Sequence, residues 1–418
     1  MEVNRVKTKS YTYLDPVSSK WLTIISKAYK YDQNGNKIKE LDALGYEAGT
    51  SSTVDAKINS GYGTQSTYDP ANRVLAVLDP VSSERSLAFT TQYGYDGIGR
   101  KTSQTNANGV ITAYTYDDAG NLLTTKINNQ TIKTNTCDTA GNLISQTDGN
   151  GNTISFAYNA WSKPMQATYP GDTTIPASTV TYQYDTNGNL KQKTNPAGPV
   201  DLYTYDNQGR ELSHTEQKAD ATQSLTTSIR YDKAGNKRFQ VDGNNVTTEN
   251  IYNQVNKLTS SKITVTNLNS VPILHVTSYG YDADGNQTTK TDWLGNTYTN
   301  TYDPLDRLIQ KQDPLNKSIE KLVYNHNSVQ IQSTDALNQI TQYTYDKNNR
   351  LLSTIDPLNH TKSQTYDNVG NVNTTTDGMG NVTTNHYDIF NRLTSVVNAK
   401  NETTRQSRRE SPYFVRSR

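Results

Sequence analysis

The chain has 418 residues, a formal net charge of +1, only 32% hydrophobic residues and a mean hydropathy of −0.82. That polarity excludes a conventional large apolar core, because globular chains are about 45–50% apolar. The near-neutral charge argues against a nucleic-acid binder, which needs a basic face to meet phosphates. Disorder fits poorly as well, since 29 Tyr stand among many Thr and Val, residues that favour pleated, half-buried surfaces.

The N-terminal stretch MEVNRVKTKS is positively charged, but no apolar run follows it, so no signal peptide is read there. No run approaches 18 apolar residues, and no transmembrane helix is predicted. The single Cys, Cys137, excludes an intrachain disulfide framework and a Cys-based zinc site.

A repeat begins at Tyr31-Asp32 and runs almost to the C-terminus. Its anchors are Tyr31, Tyr68, Tyr95, Tyr116, Cys137, Tyr158, Tyr184, Tyr205, Tyr231, Tyr252, Tyr281, Tyr302, Tyr324, Tyr345, Tyr366 and Tyr387, each followed by Asp or Asn. These 16 anchors define 15 intervals; nine are 21 residues, one is 22, and five are longer, at 37, 27, 26, 26 and 29. Nine equal intervals establish an internal repeat. Cys137 stands where Tyr belongs and reads as a small hydrophobe in an aromatic slot, with no base beside it to make a catalytic thiol.

Each unit carries two turn signals about ten residues apart, as in Asp282-Ala-Asp-Gly285-Asn286 and Asp292-Trp-Leu-Gly295-Asn296. Asp at the start of a tight turn accepts a backbone N–H two residues on. Gly three residues later supplies the positive φ of a type I turn with a G1 bulge. Between turns lie five to seven residues, which is strand length. Each unit is therefore two antiparallel strands and two turns. In Tyr114-Thr115-Tyr116 the two Tyr share a face and Thr takes the other. The same spacing at Tyr203/Tyr205, Tyr279/Tyr281 and Tyr343/Tyr345 predicts aromatic ladders on one face and Thr/Ser/Gln rows on the other. Cross-strand pairs of these kinds contribute roughly 0.2–1 kcal/mol each. The residues expected to define the structural repeat include Tyr116, Asp117, Gly120, Asn121, Tyr281, Asp282, Gly285, Asn286, Asp292, Gly295, Asn296, Tyr302, Asp303, Tyr366, Asp367, Gly370 and Asn371.

Sixteen units imply about 32 strands and, at about 4.8 Å between neighbours, a ribbon roughly 150 Å long. So wide a sheet twists and curls. Closed once, it would be roughly 50 Å across, too wide for side chains to fill. The expected fold class is an all-β antiparallel ribbon, curling or spiralling into an open hollow shell.

The phrase YDxxGNxxxxTDxxGNxxxxxYD at 281–303, written again at 366–388, resembles the YD repeat of the RHS family. That family includes bacterial polymorphic toxins, the C subunits of insecticidal toxin complexes and the animal teneurins. The resemblance covers roughly residues 10–400. It implies a β-shell spiralling around a hollow interior, which in bacterial members encloses a C-terminal toxin. The implied function is a non-catalytic structural segment of such a shell, secreted or at the cell surface, that encapsulates or carries a toxin or effector. Its partners would be that cargo or the remaining shell segments. The alternative is a carbohydrate- or receptor-binding repeat module, with Tyr faces stacking on sugars and Asn and Thr bonding their hydroxyls. The chain departs from full members by its length, by lacking the Asp-Pro-x-Gly-Leu-type core motif and self-cleaving segment, and by having no recognisable toxin domain. Its own Asp-Pro pairs, as in DPLDR (303–307), read as ordinary turns.

Both ends suggest a piece of a longer protein. LDPVSSK (14–20) recurs as LDPVSSE (78–84), 64 residues on, so the N-terminus already lies inside the pattern. The repeat region is assigned to 1–403 and a basic irregular tail to 404–418. The last 14 residues hold five Arg and one Glu, a net of +4 (5 − 1), which leaves −3 for the rest. The long intervals mark insertions near Gly45–Thr67, Pro80–Thr90, Pro170–Thr179, Glu216–Ser228 and Ser261–Pro272, expected as lengthened strands or loops.

Chemistry-bearing residues do not cluster in the sequence. His214, His275, His326, His360 and His386 form no metal-spaced pair and no nucleophile motif. The Asp residues recur because turns recur. Asp148–Thr153 and Asp282–Asn286 resemble calcium loops but lack the twelve-residue spacing that ends in Glu. Gly94–Gly99 is Gly-rich but follows the turn register and is no phosphate loop. No enzyme activity, cofactor or metal is expected.

Overall fold

The computed structural model describes residues 5–14, 20–81, 85–171, 176–266 and 272–405. Among these the chain forms 34 strands and two short helices. It divides into two compact units. The first holds residues 1–112, 303–310 and 318–418, and the second holds 113–302 and 311–317.

Within each unit, strands adjacent in sequence pair antiparallel, as in Val200–Tyr205 with Glu211–Gln217 and Ile340–Tyr345 with Leu351–Ile355. The fold is an all-β YD-repeat ribbon, the class the repeat predicts. The two strands beyond the expected 32 are Thr8–Leu14, before the first anchor strand, and Thr403–Arg405, after the last repeat.

The turn chemistry explains the register. Thr204 lies opposite Ser213, but Tyr205 lies opposite Glu211, so the ladder skips a residue at the anchor. The same shift occurs at Tyr281, Tyr345, Tyr366 and Tyr387. It is the G1 bulge of the turn that follows. The bulged residue needs φ > 0, and Gly285 supplies it at φ 90°. Where Gly is missing, a short polar residue takes the strain, as Asn349 does at φ 58° and Asp306 at φ 59°.

The Thr rows form as hydroxyl pairs between neighbouring strands, including Thr115 with Thr124 at 2.6 Å and Thr365 with Thr374 at 2.7 Å. The Tyr side departs from a ladder of stacked rings. Successive anchors are two strands apart, about 9.6 Å, which is too far for ring contact. Cations fill the interval instead: the Arg350 guanidinium lies 4.2 Å from the Tyr366 ring centroid and Arg210 lies 4.4 Å from that of Tyr231.

The insertion near Gly45–Thr67 corrects the expectation of lengthened strands or loops. It folds as helix α1, Ala43–Glu47, and helix α2, Val54–Ser60. Asp42 caps α1 by accepting the Gly45 N–H at 2.8 Å, and Thr53 caps α2 by accepting the Ala56 N–H at 3.3 Å. Helices this short do not stand alone. Tyr46 of α1 and Ile58 of α2 pack with Leu41 and Ala28 of the sheet into a small apolar core. The insertion near Ser261–Pro272 does lengthen its strands, to Leu258–Thr266 and Pro272–Tyr281. Residues 82–84, 172–175, 267–271 and 406–418, which include parts of three insertions and most of the basic tail, lie outside the described residues, as does the whole of the first DPVSS segment, 15–19.

Candidate functional site

The recurrent polar cluster at each anchor is the first candidate. Asp117 Oδ1 accepts the Asn121 N–H at 2.8 Å and Oδ2 accepts Asn121 Nδ2 at 2.9 Å. The Asp117 N–H donates to the Asn121 carbonyl at 3.0 Å and the Gly120 N–H to the Asp117 carbonyl at 3.1 Å. Asp282 with Asn286, Asp292 with Asn296 and Asp367 with Asn371 repeat the arrangement around Gly285, Gly295 and Gly370. Asp303 instead holds Arg307 Nε at 2.7 Å. The side-chain amide and the backbone N–H of Asn121 hold the Asp117 carboxyl below the usual carboxylate range. These carboxylates have their oxygens engaged within five residues, so they form turns rather than acid pairs. Among the described residues, no group of three or more His, Cys, Asp or Glu is arranged to hold a metal ion.

The anchor hydroxyl makes a contact that the sequence does not disclose. Tyr281 donates to the Leu258 carbonyl at 2.8 Å, Tyr302 to Gln287 at 3.0 Å and Tyr366 to Leu351 at 2.9 Å. Each acceptor begins the second strand of the preceding repeat. The backbone ladder between repeats stops short of it; Ser353 opposite Ser363 is the last pair before Leu351. The Tyr hydroxyl thus closes a gap that the ladder leaves open. A side-chain amide two residues before the anchor shares the task in some repeats, as Asn300 does on Gln287 at 3.0 Å. Cys137 has no phenol, and Asn135 Nδ2 takes the Leu122 carbonyl at 3.0 Å. The signal was present in the sequence as the fixed spacing of six residues from the preceding anchor to the strand start, as from Tyr252 to Leu258 and from Tyr345 to Leu351, but spacing does not identify an acceptor. Tyr116 ends its strand at the equivalent position.

Arg adds a second link between repeats. Arg73 Nε donates to Asp69 at 2.6 Å, its Nη1 donates to the Asp96 carbonyl of the next turn at 2.9 Å, and its guanidinium lies 4.8 Å from the Tyr95 centroid.

Inside the first unit a seam joins residues about 280 positions apart. Asn327 Nδ2 donates to Asp42 Oδ2 at 2.8 Å, and its Oδ1 accepts the Leu44 N–H at 3.1 Å. Asn349 donates to the same carboxylate at 3.2 Å. His326 Nδ1 and Glu47 Oε1 lie 2.6 Å apart, Asn348 donates to Asp79 at 2.9 Å, and Arg85 donates to the Asn368 carbonyl at 3.0 Å. Beside the seam is a pocket of about 180 Å³ lined by Leu44, Tyr62, Ile331, Tyr343 and Lys347 among others. Lys347 Nζ lies 5.4 Å from the Tyr62 ring centroid. Burial first, and then the Asp42 and Glu47 carboxylates, push the Tyr62 phenol up to about 12, so it stays neutral.

The remaining His are placed singly. His214 stacks on Tyr203 at 4.6 Å and lies 3.4 Å from Asp201, His275 stacks on Trp293 at 4.3 Å, and His360 lies 3.0 Å from Asp356. Among the described residues no helix is long and apolar enough to cross a membrane.

Paired turns, a register shift that recurs from anchor to anchor and hydroxyl links from repeat to repeat define a repeat-built β scaffold. The RHS repeat model matches residues 184–223, 281–318 and 329–361, and the teneurin YD-shell model matches 46–175. Over the matched residues the chain carries the RHS/YD type of structural shell repeat. Its fold is similar to the crystal structure of TcdB2-TccC3-Cdc42, with a TM-score of 0.64 and 15% identity over 93% of this chain and 22% of that one. It is also similar to TcdB2-TccC3-TEV, with a TM-score of 0.63 and 16% identity over 90% of this chain and 21% of that one. The chain therefore spans about a fifth of the length of these solved chains. No curated protein matches the sequence.

Proposed function

We propose that the chain is a non-catalytic segment of an RHS-type β-shell that encapsulates or carries a toxin or effector, in competition between cells or against a host. The observation that carries this reading is the consumption of reactive groups by the repeat itself. Turn carboxylates are held by their own Asn or Arg, and anchor hydroxyls are donated to backbone carbonyls. Among the described residues, what remains is a scaffold with little free chemistry. The residues from Tyr116 to Asn371 named above act in this reading as structural elements of a repeat region spanning 1–403, with 404–418 as a separate basic tail. Similar folds occur in structures named TcdB2-TccC3-Cdc42 and TcdB2-TccC3-TEV, and one was solved without a hypervariable C-terminal region. By analogy, the partners here are a passenger or further shell segments, and the location is secreted or extracellular.

The test is limited proteolysis of the product of the complete locus, followed by mass spectrometry. A passenger that survives while linked to the repeats, and is digested once they are unfolded, supports the reading. A passenger cleaved equally fast with and without the repeats overturns it. So does a hydrolytic activity of this chain that one Asp or His substitution abolishes.

A further inference from the structure

The seam in the first unit has a polarity. Hairpin turns alternate between the two edges of the ribbon. Turns that follow an anchor Tyr lie on one edge, and the others lie on the opposite edge. Asp42 ends the strand Lys37–Asp42 and Asp79 follows Val74–Leu78, so both belong to the non-anchor edge. Their partners Asn327 and Asn348 sit in turns that follow Tyr324 and Tyr345, on the anchor edge. The contact joins unlike edges, non-anchor to anchor. Such a contact is heterologous: the earlier segment keeps its anchor edge and the later one its non-anchor edge, so together they keep one edge of each kind for another partner.

Among the described residues, the two edges outside the seam in this unit are apolar at matching positions. On the non-anchor edge, three consecutive turn tips present Leu337, Leu358 and Met379, which are 76%, 75% and 87% exposed. On the anchor edge, the turns after Tyr68 and Tyr95 present Pro70, Ala71 and Ile98, the last 78% exposed. Both rows have one tip for every two strands, a pitch of about 9.6 Å. Runs of exposed apolar groups mark association sites more than scattered ones do. The net charge of +1 offers little repulsion between copies.

We propose that this chain associates head to tail with a second copy of itself. The Leu337–Leu358–Met379 row of one copy docks on the Pro70–Ala71–Ile98 row of the next. The joint repeats the unlike-edge relation of the internal seam, with apolar contacts in place of the Asp–Asn bonds. Its small area makes it a weak, concentration-dependent contact rather than a permanent interface. This inference does not depend on the cargo reading above.

Sedimentation of the whole 418-residue chain over a concentration series tests it. The weight-average mass is expected to rise above the 46.5 kDa of one copy as concentration increases. Leu358→Glu and Ile98→Glu, both at exposed tips, each return the chain to 46.5 kDa when alone. An equimolar mixture of the two variants forms a 1:1 dimer, because one retains an intact anchor edge and the other an intact non-anchor edge. That rescue also shows that both variants are folded. A wild-type chain that stays a monomer throughout overturns the proposal. So does association that neither substitution reduces, or a mixture that stays monomeric.

Discussion

The Tyr205 hydroxyl donates to the Leu190 carbonyl at 2.9 Å, beyond the point where the backbone ladder between their strands ends at Gln192 and Leu202. One phenol thus ties this repeat to the one before it. Tyr205→Phe is expected to destabilise by about 0.5–1.5 kcal/mol, the usual net worth of a hydrogen bond. The loss should appear in amide exchange as faster opening around Leu190, because repeat arrays are stabilised by neighbour contacts. Tyr302→Phe should cost less, since Asn300 still donates to the Gln287 carbonyl.

Cys137 offers the reverse experiment. Cys137→Tyr adds the missing phenol beside Asn135, and a gain of about 0.5–1.5 kcal/mol in denaturant unfolding is expected. Asn135→Ala should cost more in the Cys137 background than in the Tyr variant, because only in the first does it leave the Leu122 carbonyl without a side-chain donor. Equal costs in a double-mutant cycle would show that the two donors are not interchangeable.

Acid should loosen the turns together. In Asp117, Asp138, Asp185, Asp232 and Asp377, the Asn side chain four residues on, and then its backbone N–H, lower the carboxyl pKa. A depressed folded-state pKa gives stability that is present above the unfolded value, about 3.9, and is lost as pH falls through the folded value. The melting temperature should therefore be flat above about pH 5 and drop below about pH 4. Asp117→Asn should reduce that drop while lowering the plateau.

The seam predicts a local effect from one amide. Asn327→Ala removes the donor to Asp42 and the acceptor of the Leu44 N–H. The cost expected for such an unsatisfied group is about 1–3 kcal/mol. Hydrogen exchange should rise across α1 while the repeats of the second unit keep their protection.

Leu41 is fully buried against Ala28, Tyr46 and Ile58. Leu41→Ala should cost about 2–5 kcal/mol and release both helices. In far-UV dichroism this would show as the loss of a small helical signal with the strand signal kept.

The strand period, the turn type, the alternation of Tyr and Thr faces and the resemblance to YD repeats are all legible in the sequence. These depend on hydrogen bonds that close within five residues, such as Asp117 to Asn121, so each repeat writes them out in full. The tertiary structure alone decided which carbonyl receives each anchor hydroxyl, that Asn135 covers for Cys137, that residues 43–60 are helical, and that Asp42 meets Asn327. A phenol's acceptor depends on where the neighbouring ladder stops, and α1 is too short to be signalled by its own propensity. The seam joins single polar residues 285 positions apart, and no local pattern marks either one as the partner of the other.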